Sequence, residues 1–317
     1  MTLTSLIKAR AAELGFLACG VTDTRPIAHG DRLDAWLAQG YAGTMRYLHR
    51  QARRRKNPGL IVPDALAIVV VLENYYRPDE ASDRGAPRVA RYARGEDYHR
   101  VTGRRLEELA AFLQTHGARV ARSYVDAGPV PERELAHRAG LGWIGKNTML
   151  IRPGVGSFFF IGTIFTDLAL EPDPPFELDH CGSCTRCLDA CPTDALGEPR
   201  VLDATRCISY LTIEYRGEIP ADLADRFEGY AFGCDICNDV CPWNHRFAES
   251  SEIPEFRSQH RLTGVGPGFF EEMDEAEFSR RFGDTPLARP GLEGMRRNVE
   301  AALASEHATH RREGARG

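Results

Sequence analysis

The feature that most constrains this 317-residue chain is a group of eight cysteines between residues 181 and 241, out of nine in all. The group opens with the sequence Cys181-Gly-Ser-Cys184-Thr-Arg-Cys187-Leu-Asp-Ala-Cys191-Pro192. This C-x2-C-x2-C-x3-C-P spacing is typical of bacterial ferredoxins, in which three cysteines bind one [4Fe–4S] cube and the fourth binds the other cube of the pair. The spacing therefore predicts a domain that holds two iron–sulfur clusters.

A second, partial copy of the spacing follows in Cys234-Asp-Ile-Cys237-Asn-Asp-Val-Cys241-Pro242. Ala231 stands where its first cysteine would be, and Cys207 is the unassigned cysteine nearby, so we expect Cys207 to fill the vacancy. The predicted ligands of the first cluster are Cys181, Cys184, Cys187 and Cys241. Those of the second cluster are Cys191, Cys207, Cys234 and Cys237.

Other uses of the cysteines fit less well. C-x2-C pairs also form zinc sites, but zinc takes ligands in two separated pairs, whereas three cysteines at this spacing followed by Cys-Pro suit a cube. A disulfide framework is not expected in a chain of this length, whose first 13 residues read as an amphipathic helix and not as a signal peptide. Cys19 lies in a short apolar stretch and is expected to be a core residue.

Length, apolar runs and charge further restrict the number of domains, the location and the partners that the sequence allows. The length predicts two compact domains, or one domain with an appendage. The apolar run at residues 65–72 is far too short to cross a bilayer, and oxygen-sensitive clusters favour the cytoplasm. The net charge of −5 gives no sign of a nucleic-acid partner. Basic residues nevertheless concentrate at residues 50–56 and 88–105, which predicts either phosphate-binding patches or solvated faces.

Residues 1–172 alternate helix and strand signals. Predicted strands cover residues 16–21, 65–72, 119–125 and 157–166, and predicted helices cover residues 31–39, 99–116 and 131–139. The run at residues 65–72 is continuously apolar and rich in β-branched residues, which suits a central strand buried on both faces. The pattern predicts an α/β domain with a mixed sheet.

The second half of the chain follows a proline-rich boundary. The sequence Glu171-Pro-Asp-Pro-Pro175 stops both helix and sheet, so the first domain is expected to end near residue 172. The ferredoxin-like domain then covers residues 173–245. Residues 246–304 predict a short helical segment, with helices at residues 274–282 and 292–303. The charged residues 305–317 predict a disordered tail.

Two motifs match nucleotide or cofactor signatures by letter. Gly140-Leu-Gly142-Trp-Ile-Gly145-Lys146-Asn147-Thr148 resembles both G-x-G-x-x-G and the P-loop, but a predicted helix precedes it and a strand-like segment follows, the reverse of what both motifs need. We reject nucleotide binding; the glycines permit a close backbone approach to a bulky ligand or a tight turn. Asp97-Tyr98-His99 is similar to the D-x-H-x-x-G signature of histidine-ligated cobalamin. Gly103 comes one residue too late, so that site is not supported.

Asp126 has two interpretations. It is predicted at the end of a strand, at the sheet edge where α/β domains place their sites. An Asp before Ala-Gly-Pro also fits ordinary turn chemistry. In the functional interpretation, a desolvated pocket keeps the carboxyl protonated at neutral pH, so that it serves as an acid. The residues alone leave both interpretations open.

Six segments together resemble the epoxyqueuosine reductase family over roughly residues 1–245. They are residues 92–99, 125–134, 139–148, 181–192, 206–212 and 233–244. The resemblance implies a cobalamin-dependent enzyme that reduces epoxyqueuosine at the wobble position of tRNA to queuosine. It also implies a first domain similar to cobalamin-processing and reductive dehalogenase folds, with base-off cobalamin beside the nearer cluster.

The resemblance assigns roles to individual residues. Two cubes would relay electrons one at a time to cobalamin, and Asp126 would donate a proton. Arg216 would contact tRNA, with the basic run at residues 50–56 adding phosphate contacts. Longer family members end in a helical-repeat domain, of which residues 286–298 look like only the start, so a weaker grip on tRNA is expected. The implied cobalamin contacts are Arg55, Asp126, Leu150, Ile161, Ser209, Asp235 and Ile236.

Two other functions remain open from the sequence. A reductive dehalogenase-like or cobalamin-reducing enzyme of small molecules would share the cofactors but would not explain the arginine clusters. A plain electron-transfer module would leave Asp126 and residues 140–148 without a role. For the favoured function we expect an external electron donor, a monomer and no membrane association.

Overall fold

The computed structural model describes residues 2–79, 86–257, 262, 265, 268–270 and 272–314, with only the backbone of residues 306–314. Within these residues the chain forms eight strands, β1 (Ala18–Asp23), β2 (Ala67–Asn74), β3 (Arg88–Val89), β4 (Ala121–Val125), β5 (Trp143–Ile144), β6 (Leu150–Ile151), β7 (Phe159–Thr166) and β8 (Tyr230–Phe232). It also forms twelve α-helices, α1 (Leu3–Glu13), α2 (Gly30–Ala38), α3 (Arg46–Lys56), α4 (Tyr98–Thr115), α5 (Glu132–Arg138), α6 (Arg186–Asp189), α7 (Ile208–Ile213), α8 (Ala221–Ala224), α9 (Ile236–Asp239), α10 (Pro242–Phe247), α11 (Glu275–Phe282) and α12 (Gly291–Gly314).

The strands and helices predicted in residues 1–172 are present, with ends shifted by a few residues. The main sheet has the order β1-β2-β7-β4, and all three of its strand pairs are antiparallel. The expected mixed sheet is therefore wrong in its strand directions. The continuous apolar run predicted a central strand buried on both faces, and β2 is such a strand, but burial on both faces does not determine strand direction.

Helices cover both faces of this sheet. Because side chains alternate along a strand, β2 contributes to two cores. Val69 lies in one core with Ile7 of α1 and Leu109 of α4. Val70 lies in the other core with Leu135 of α5. The carboxyl end of the edge strand β4 stays open, and Asp126 follows it directly.

The cysteine-rich part is joined to the first domain through paired strands. β8, just before Cys234, pairs in parallel with β3 of the first domain. β5 and β6 form an antiparallel hairpin, which contains most of the glycine-rich stretch at residues 140–148. A helix precedes this hairpin and a strand closes it, so the structure agrees with the rejection of a P-loop.

The C-terminal segment packs against the cysteine-rich part. Arg297 of α12 donates hydrogen bonds to the carbonyls of Leu211 and Tyr215, and Asn298 donates to the carbonyl of Thr212. Helix α12 continues to Gly314, so the disorder expected from residue 305 is wrong for residues 305–314. Residues 315–317 lie outside the described part of the chain.

Candidate active site and cluster ligands

Asp126 lies in a loop that neighbouring side chains hold in a left-handed conformation, with φ of 44°. Its backbone N–H donates to Glu132 Oε1 over 2.6 Å. Arg55 donates through Nη2 to the carbonyl of Gly128 at 3.0 Å and through Nη1 to that of Val130 at 3.2 Å. Such a conformation costs free energy in a residue with a side chain and persists when its surroundings impose it.

The Asp126 carboxylate projects from this loop toward a partly buried aromatic wall. Its side chain is 64% exposed, and its Oδ2 accepts a short hydrogen bond from the hydroxyl of Tyr98. Burial raises the pKa of Tyr98, and the charge of Asp126 raises it further, so Tyr98 stays protonated and acts as a donor. A desolvated pocket was expected around Asp126, whereas solvent reaches its exposed carboxylate from at least one side.

Titratable groups from α3, α5 and the C-terminal segment interact electrostatically with the same carboxylate. Burial raises the pKa of Tyr47, on α3, and the charges of Glu214 and Asp126 add to this effect. Arg289, in the C-terminal segment, forms an ion pair with Glu214 and interacts with Asp126. Burial raises the pKa of Glu132 well above its ordinary value, and the charge of Asp126 contributes. The Asp126 carboxylate thus lies where the first domain, the C-terminal end of α7 and the C-terminal segment approach one another, a region called the cleft below.

The first predicted set of cysteines comes together in the structure. Burial raises the pKa of Cys187, and so do the charges of Cys181, Cys241 and Cys184. Cys241 immediately precedes α10, and its thiol sulfur accepts hydrogen bonds from the first N–H groups of that helix. These N–H groups favour the thiolate, the form that binds iron. Trp143 Nε1 donates to Cys181 Sγ over 3.4 Å.

The second predicted set behaves in the same way. Burial raises the pKa of Cys237 well above its ordinary value, and the charges of Cys234, Cys207 and Cys191 raise it further. Cys207 precedes α7 and accepts hydrogen bonds from backbone N–H groups and from the hydroxyl of Ser209. The cysteine charges that act most strongly on each of these thiols come from its own set.

The spacing of these thiols does not suit a mononuclear site. Zinc holds its thiolates at about 2.3 Å, which draws four sulfurs tightly around one point. In the part of the chain that the structure describes, no three histidine, cysteine or acidic side chains converge closely enough for one ion. A cube spreads its thiolates over the corners of a larger body. All nine cysteines are free of disulfide bonds.

The glycine-rich stretch at residues 140–148 forms hydrogen bonds with the segments that carry both cysteine sets. Lys146 Nζ donates to the carbonyls of Gly182 and Cys184, at 2.7 and 2.9 Å, in the first cysteine loop. Asn147 Nδ2 donates to Asn238 Oδ1 at 3.2 Å, between Cys237 and Cys241. A Cβ on Gly142 would lie 2.2 Å from the carbonyl oxygen of Ile151, so the hairpin requires glycine there. The close backbone approach that Gly142 permits is therefore to Ile151 of the same chain.

The residues expected to contact cobalamin fall in two groups. Leu150 is buried in the core that contains Val130, Ile161 packs against that core, and Arg55 binds the carbonyl of Val130. The Ser209 hydroxyl and the Ile236 N–H lie on the other side, where they donate to Cys207 and Cys234. The two groups therefore face the Asp126 loop and the second cysteine set respectively.

The Asp235 side chain is occupied by contacts with Arg91. It is 2% exposed, and its carboxylate accepts a hydrogen bond from the backbone N–H of Arg91 at 2.7 Å. Burial raises the pKa of Asp235 to about 6, against the charge of Arg91. Arg91 also pairs with Asp239 and Asp79. Of Asp235, therefore, only the backbone is available to a cofactor.

The expected tRNA-contacting groups are at the surface. Arg216 is exposed, and its guanidinium donates to the carbonyls of Arg289 and Pro290 at 2.8 and 2.9 Å. Helix α3 presents the exposed residues Arg46, Arg50, Arg53 and Arg54 to solvent, while Tyr47, Gln51 and Arg55 lie on its face toward the Asp126 loop. The basic run is thus a solvated face directly behind the cleft.

Several site residues have no counterpart in the sequence predictions, namely Tyr47, Glu132, Glu214 and Arg289. Glu132 lies in a segment that carried the resemblance, residues 125–134, and Arg289 lies in residues 286–298, which resemble the start of the family's helical-repeat domain, but no role was assigned to either. Contacts between distant elements bring all four residues together. His99 was considered and set aside as a cobalamin ligand, yet its Nε2 lies 4.0 Å from Asp126 Oδ2. The sequence feature that pointed to His99 was its pairing with Asp97 at the start of α4.

Comparisons with known proteins show which family the chain resembles. A family model described as "Epoxyqueuosine reductase QueG, DUF1730" matches residues 55–127, and one described as "4Fe-4S double cluster binding domain" matches residues 180–244. An epoxyqueuosine reductase of Cellulophaga algicola is 39% identical over 297 residues, covering 93% of this chain and 96% of that protein. One of Xanthomonas campestris is 43% identical over 307 residues, covering 94% and 86%.

Solved structures give the same result. An epoxyqueuosine reductase in complex with an epoxyqueuosine-modified tRNA stem loop superposes with a TM-score of 0.87 at 32% identity, covering 97% of this chain and 82% of that chain. The Bacillus subtilis enzyme, solved with its catalytic aspartate loop swung out of the active site, gives 0.84 at 30% identity, covering 97% and 82%.

The fold and the cysteine-rich site define an oxidoreductase that uses two [4Fe–4S] clusters and cobalamin. The chain belongs to the epoxyqueuosine reductase family. The predicted fold class, a cobalamin-binding domain followed by a double-cluster domain, is confirmed, and the small-molecule dehalogenase alternative is not favoured. In the part of the chain that the structure describes, no helix has the length and apolar character needed to cross a bilayer.

Proposed function

We propose that this chain reduces epoxyqueuosine at the wobble position of tRNA to queuosine, with Asp126 as the proton donor. The observation that carries the proposal is that packed side chains connect the exposed Asp126 carboxylate with the second cysteine set. Asp126 accepts a hydrogen bond from the Tyr98 hydroxyl, and the Tyr98 ring packs edge-on against Tyr92 with centroids 5.9 Å apart. The Tyr92 ring in turn lies against Gly233, the residue before Cys234, since a Cβ on Gly233 would be 3.3 Å from Tyr92 Cε1. A proton source and an electron source are thus adjacent.

The reaction needs both sources. Removing the epoxide oxygen as water breaks two C–O bonds, forms one C=C bond, and consumes two electrons and two protons. When bound, cobalamin supplies the low-potential chemistry that no amino-acid side chain provides. Asp126 delivers a proton to the oxygen as negative charge develops there. The Tyr98 hydroxyl, fixed on Asp126 Oδ2, orients the carboxyl toward the cleft.

The cluster assignment of the sequence analysis is part of this proposal. Cys181, Cys184, Cys187 and Cys241 hold the cluster farther from Asp126, and Cys191, Cys207, Cys234 and Cys237 hold the nearer one. The mutual charge interactions within each set support it. Each set also gains N–H donors from a helix that starts at one of its cysteines, Cys241 or Cys207. Such donors stabilise the anionic cluster.

The residues present fit a corrinoid between the Asp126 loop and the nearer cluster. Leu150, Ile161 and Ile236 offer apolar contacts, and a large macrocycle needs apolar contacts with a few directed polar groups. Arg55 Nε is buried without a hydrogen-bond partner in the described part of the chain. A buried unpaired donor is costly, so a cofactor amide is a suitable acceptor for it. Ser209 and the backbone of Asp235 complete the proposed contacts.

The tRNA is proposed to lie across the cleft, with Arg216 and the basic face of α3 on its phosphates. The solved relative in complex with a modified stem loop supports this partner. An external electron donor would supply the electrons that the two clusters, held by the two cysteine sets, pass on. We further propose that the protein acts as a monomer in the cytoplasm, where tRNA and reduced thiols are present, and that its domains divide near residues 172 and 245.

Nucleoside analysis of tRNA tests the function directly. Anaerobic, reduced, cobalamin-loaded protein should convert epoxyqueuosine in tRNA to queuosine. The Asp126→Asn variant should bind cobalamin and retain both clusters but turn over about 100- to 10,000-fold more slowly, because it lacks the proton. Unchanged turnover in that variant would remove Asp126 from the acid role, and no conversion by the wild-type protein would reject the function.

A further inference from the structure

The pair formed by Asp97 and His99, which the sequence analysis could not assign to cobalamin, lies beside the acid. Asp97 is the N-cap of α4, and its Oδ1 accepts from the backbone N–H of His99 at 3.0 Å. The same oxygen lies 2.8 Å from His99 Nδ1, and His99 Nε2 lies 4.0 Å from Asp126 Oδ2. The three side chains form a carboxylate–imidazole–carboxylate line that ends at the proposed proton donor.

The reaction delivers two protons to the same oxygen atom. Asp126 must therefore be reprotonated between the two transfers, or a second acid must supply the second proton. Three groups approach Asp126 closely enough. Tyr98 keeps its proton, because burial and the charge of Asp126 raise its pKa. Glu132 accepts a hydrogen bond from the Asp126 backbone N–H through Oε1, which commits one of its oxygens to the loop. Because burial raises the pKa of Glu132 well above the ordinary value, it is the competing acid that the Glu132→Gln control tests. His99 remains, and its side chain is 34% exposed, which gives it access to protons from water.

The charges around His99 favour its protonated form. Burial lowers the pKa of His99, but the hydrogen bond and charge of Asp97 and the charge of Asp126 outweigh burial and raise it. Arg289, from the C-terminal segment, opposes them. The Tyr98 ring stacks on the imidazole with centroids 4.2 Å apart and carries no charge. An imidazolium that persists near neutral pH is suited to proton transfer.

We propose that His99, oriented by Asp97, is a relay residue that returns a proton to Asp126 between the two proton transfers of the reaction. The inference rests on the proposed function. Asp126 gives its first proton to the epoxide oxygen; His99 then transfers the Nε2 proton to Asp126 Oδ2 and regains one from water. Asp126 next gives its second proton, and the oxygen leaves as water, while both electrons come from the external donor through the clusters.

The geometry permits this transfer after a small movement. A hydrogen bond needs about 2.7–3.2 Å, so His99 and Asp126 must approach by about 1 Å. Catalytic hydrogen bonds are often longer before substrate binds. The partly exposed side chains of His99 and Asp126 can supply this approach by rotating about their own bonds, while Glu132 and Arg55 hold the loop backbone. Asp97 fixes the imidazole with Nδ1–H toward itself, which leaves Nε2 for Asp126.

The test compares variants by their pH profiles in steady-state conversion of epoxyqueuosine tRNA. Turnover of the wild-type protein should fall as pH rises through the pKa of His99, because the relay then lacks its proton. His99→Gln should lower kcat about 100-fold and lose this basic limb, with KM for tRNA unchanged, and added imidazole should restore part of kcat. Asp97→Asn keeps an N-capping side chain but removes the charge, so its basic limb should shift to lower pH.

The controls separate the possible failures. Iron and corrinoid content and the thermal midpoint establish that each variant is folded and loaded, and His99→Asn serves if His99→Gln is not. Glu132→Gln keeps an acceptor for the Asp126 N–H and should keep the basic limb. A His99→Gln variant with the wild-type profile, or loss of the limb in Glu132→Gln instead, would overturn the relay. Lack of conversion by the wild-type protein would overturn the proposed function instead.

Discussion

Cys207 shows how a single residue is prepared for iron without a local cysteine motif. It stands alone in sequence, yet it directly precedes α7 and its thiol accepts hydrogen bonds from the N–H groups of Ser209 and Tyr210. Burial raises its pKa, and these donors oppose burial. A thiolate at the start of a helix is stabilised in this way, and iron binding makes the anionic form permanent.

We expect Cys207→Ser to cost one cluster and not both. The hydroxyl is a poor iron ligand, so the variant should hold about four irons per chain where the wild-type protein holds about eight. Iron analysis and the visible absorbance of anaerobically purified protein measure this. Cys19→Ala is the matched control: Cys19 lies in β1, burial raises its pKa to about 12, and its loss should leave about eight irons. Full iron content in Cys207→Ser would contradict the ligand assignment.

At the scale of elements, α12 fixes α7, and α7 in turn carries the residues next to the nearer cluster. Arg297 donates to three carbonyls, those of Leu211, Tyr215 and Gly217, at 2.7–3.0 Å. These are the orphan carbonyl groups that a helix leaves at its C-terminal end and just beyond it. The C-terminal segment therefore supports the cluster domain as well as contributing Arg289 to the cleft.

Arg297→Ala should destabilise the protein by about 1.5–3 kcal/mol, because charged hydrogen bonds to half-buried carbonyls are lost. The thermal midpoint of the anaerobic, cluster-loaded protein should fall accordingly, and iron should be released at lower temperature. Arg280→Ala on α11 is the control, since its 72% exposed side chain forms only a 3.7 Å pair with Glu277 and should matter by less than about 0.5 kcal/mol. Equal midpoints for the two variants would show that Arg297 does not anchor α7.

The elements also show what sequence can predict. Strand positions follow from apolar runs, but such runs indicate burial and not direction, so the antiparallel order of β1, β2, β7 and β4 was missed. The cysteine sets were predictable because cluster binding restricts their spacing. The relay was not, because His99 meets Asp126 only through the packing of α4 beside β4. Disorder was expected at residue 305, yet Ser305 is buried and accepts from the N–H of Gly229 at 3.0 Å.

At the scale of the whole molecule, a chain of net charge −5 presents a basic face beside its active cleft. Arg46, Arg50, Arg53 and Arg54 extend along the solvent side of α3, and none has an ion-pair partner within the described residues. The opposite side of the helix contributes Tyr47 and Arg55 to the cleft. A polyanion bound along this face would therefore be positioned by its phosphates next to Asp126.

The ionic-strength dependence of tRNA binding tests this arrangement. Each phosphate contact releases counterions, so the slope of log Kobs against log salt should fall by about 2–3 when Arg50, Arg53 and Arg54 are all changed to Gln. Binding should weaken at low salt for every tRNA, whether or not it carries epoxyqueuosine, because phosphates are common to all. Cluster and corrinoid content should stay at the wild-type level, since these side chains contact neither site.

A control variant that loses three positive charges elsewhere distinguishes the effect of arginine position from the effect of net charge. Arg119→Gln, Arg122→Gln and Arg280→Gln together remove three exposed arginines that are distant from α3; the first two lie at the end of β4 opposite Asp126. This control should keep nearly the wild-type slope, because its arginines are not part of the basic face of α3. Equal slopes for the two triple variants would mean that tRNA responds to overall charge, and α3 would then be an ordinary solvated helix face.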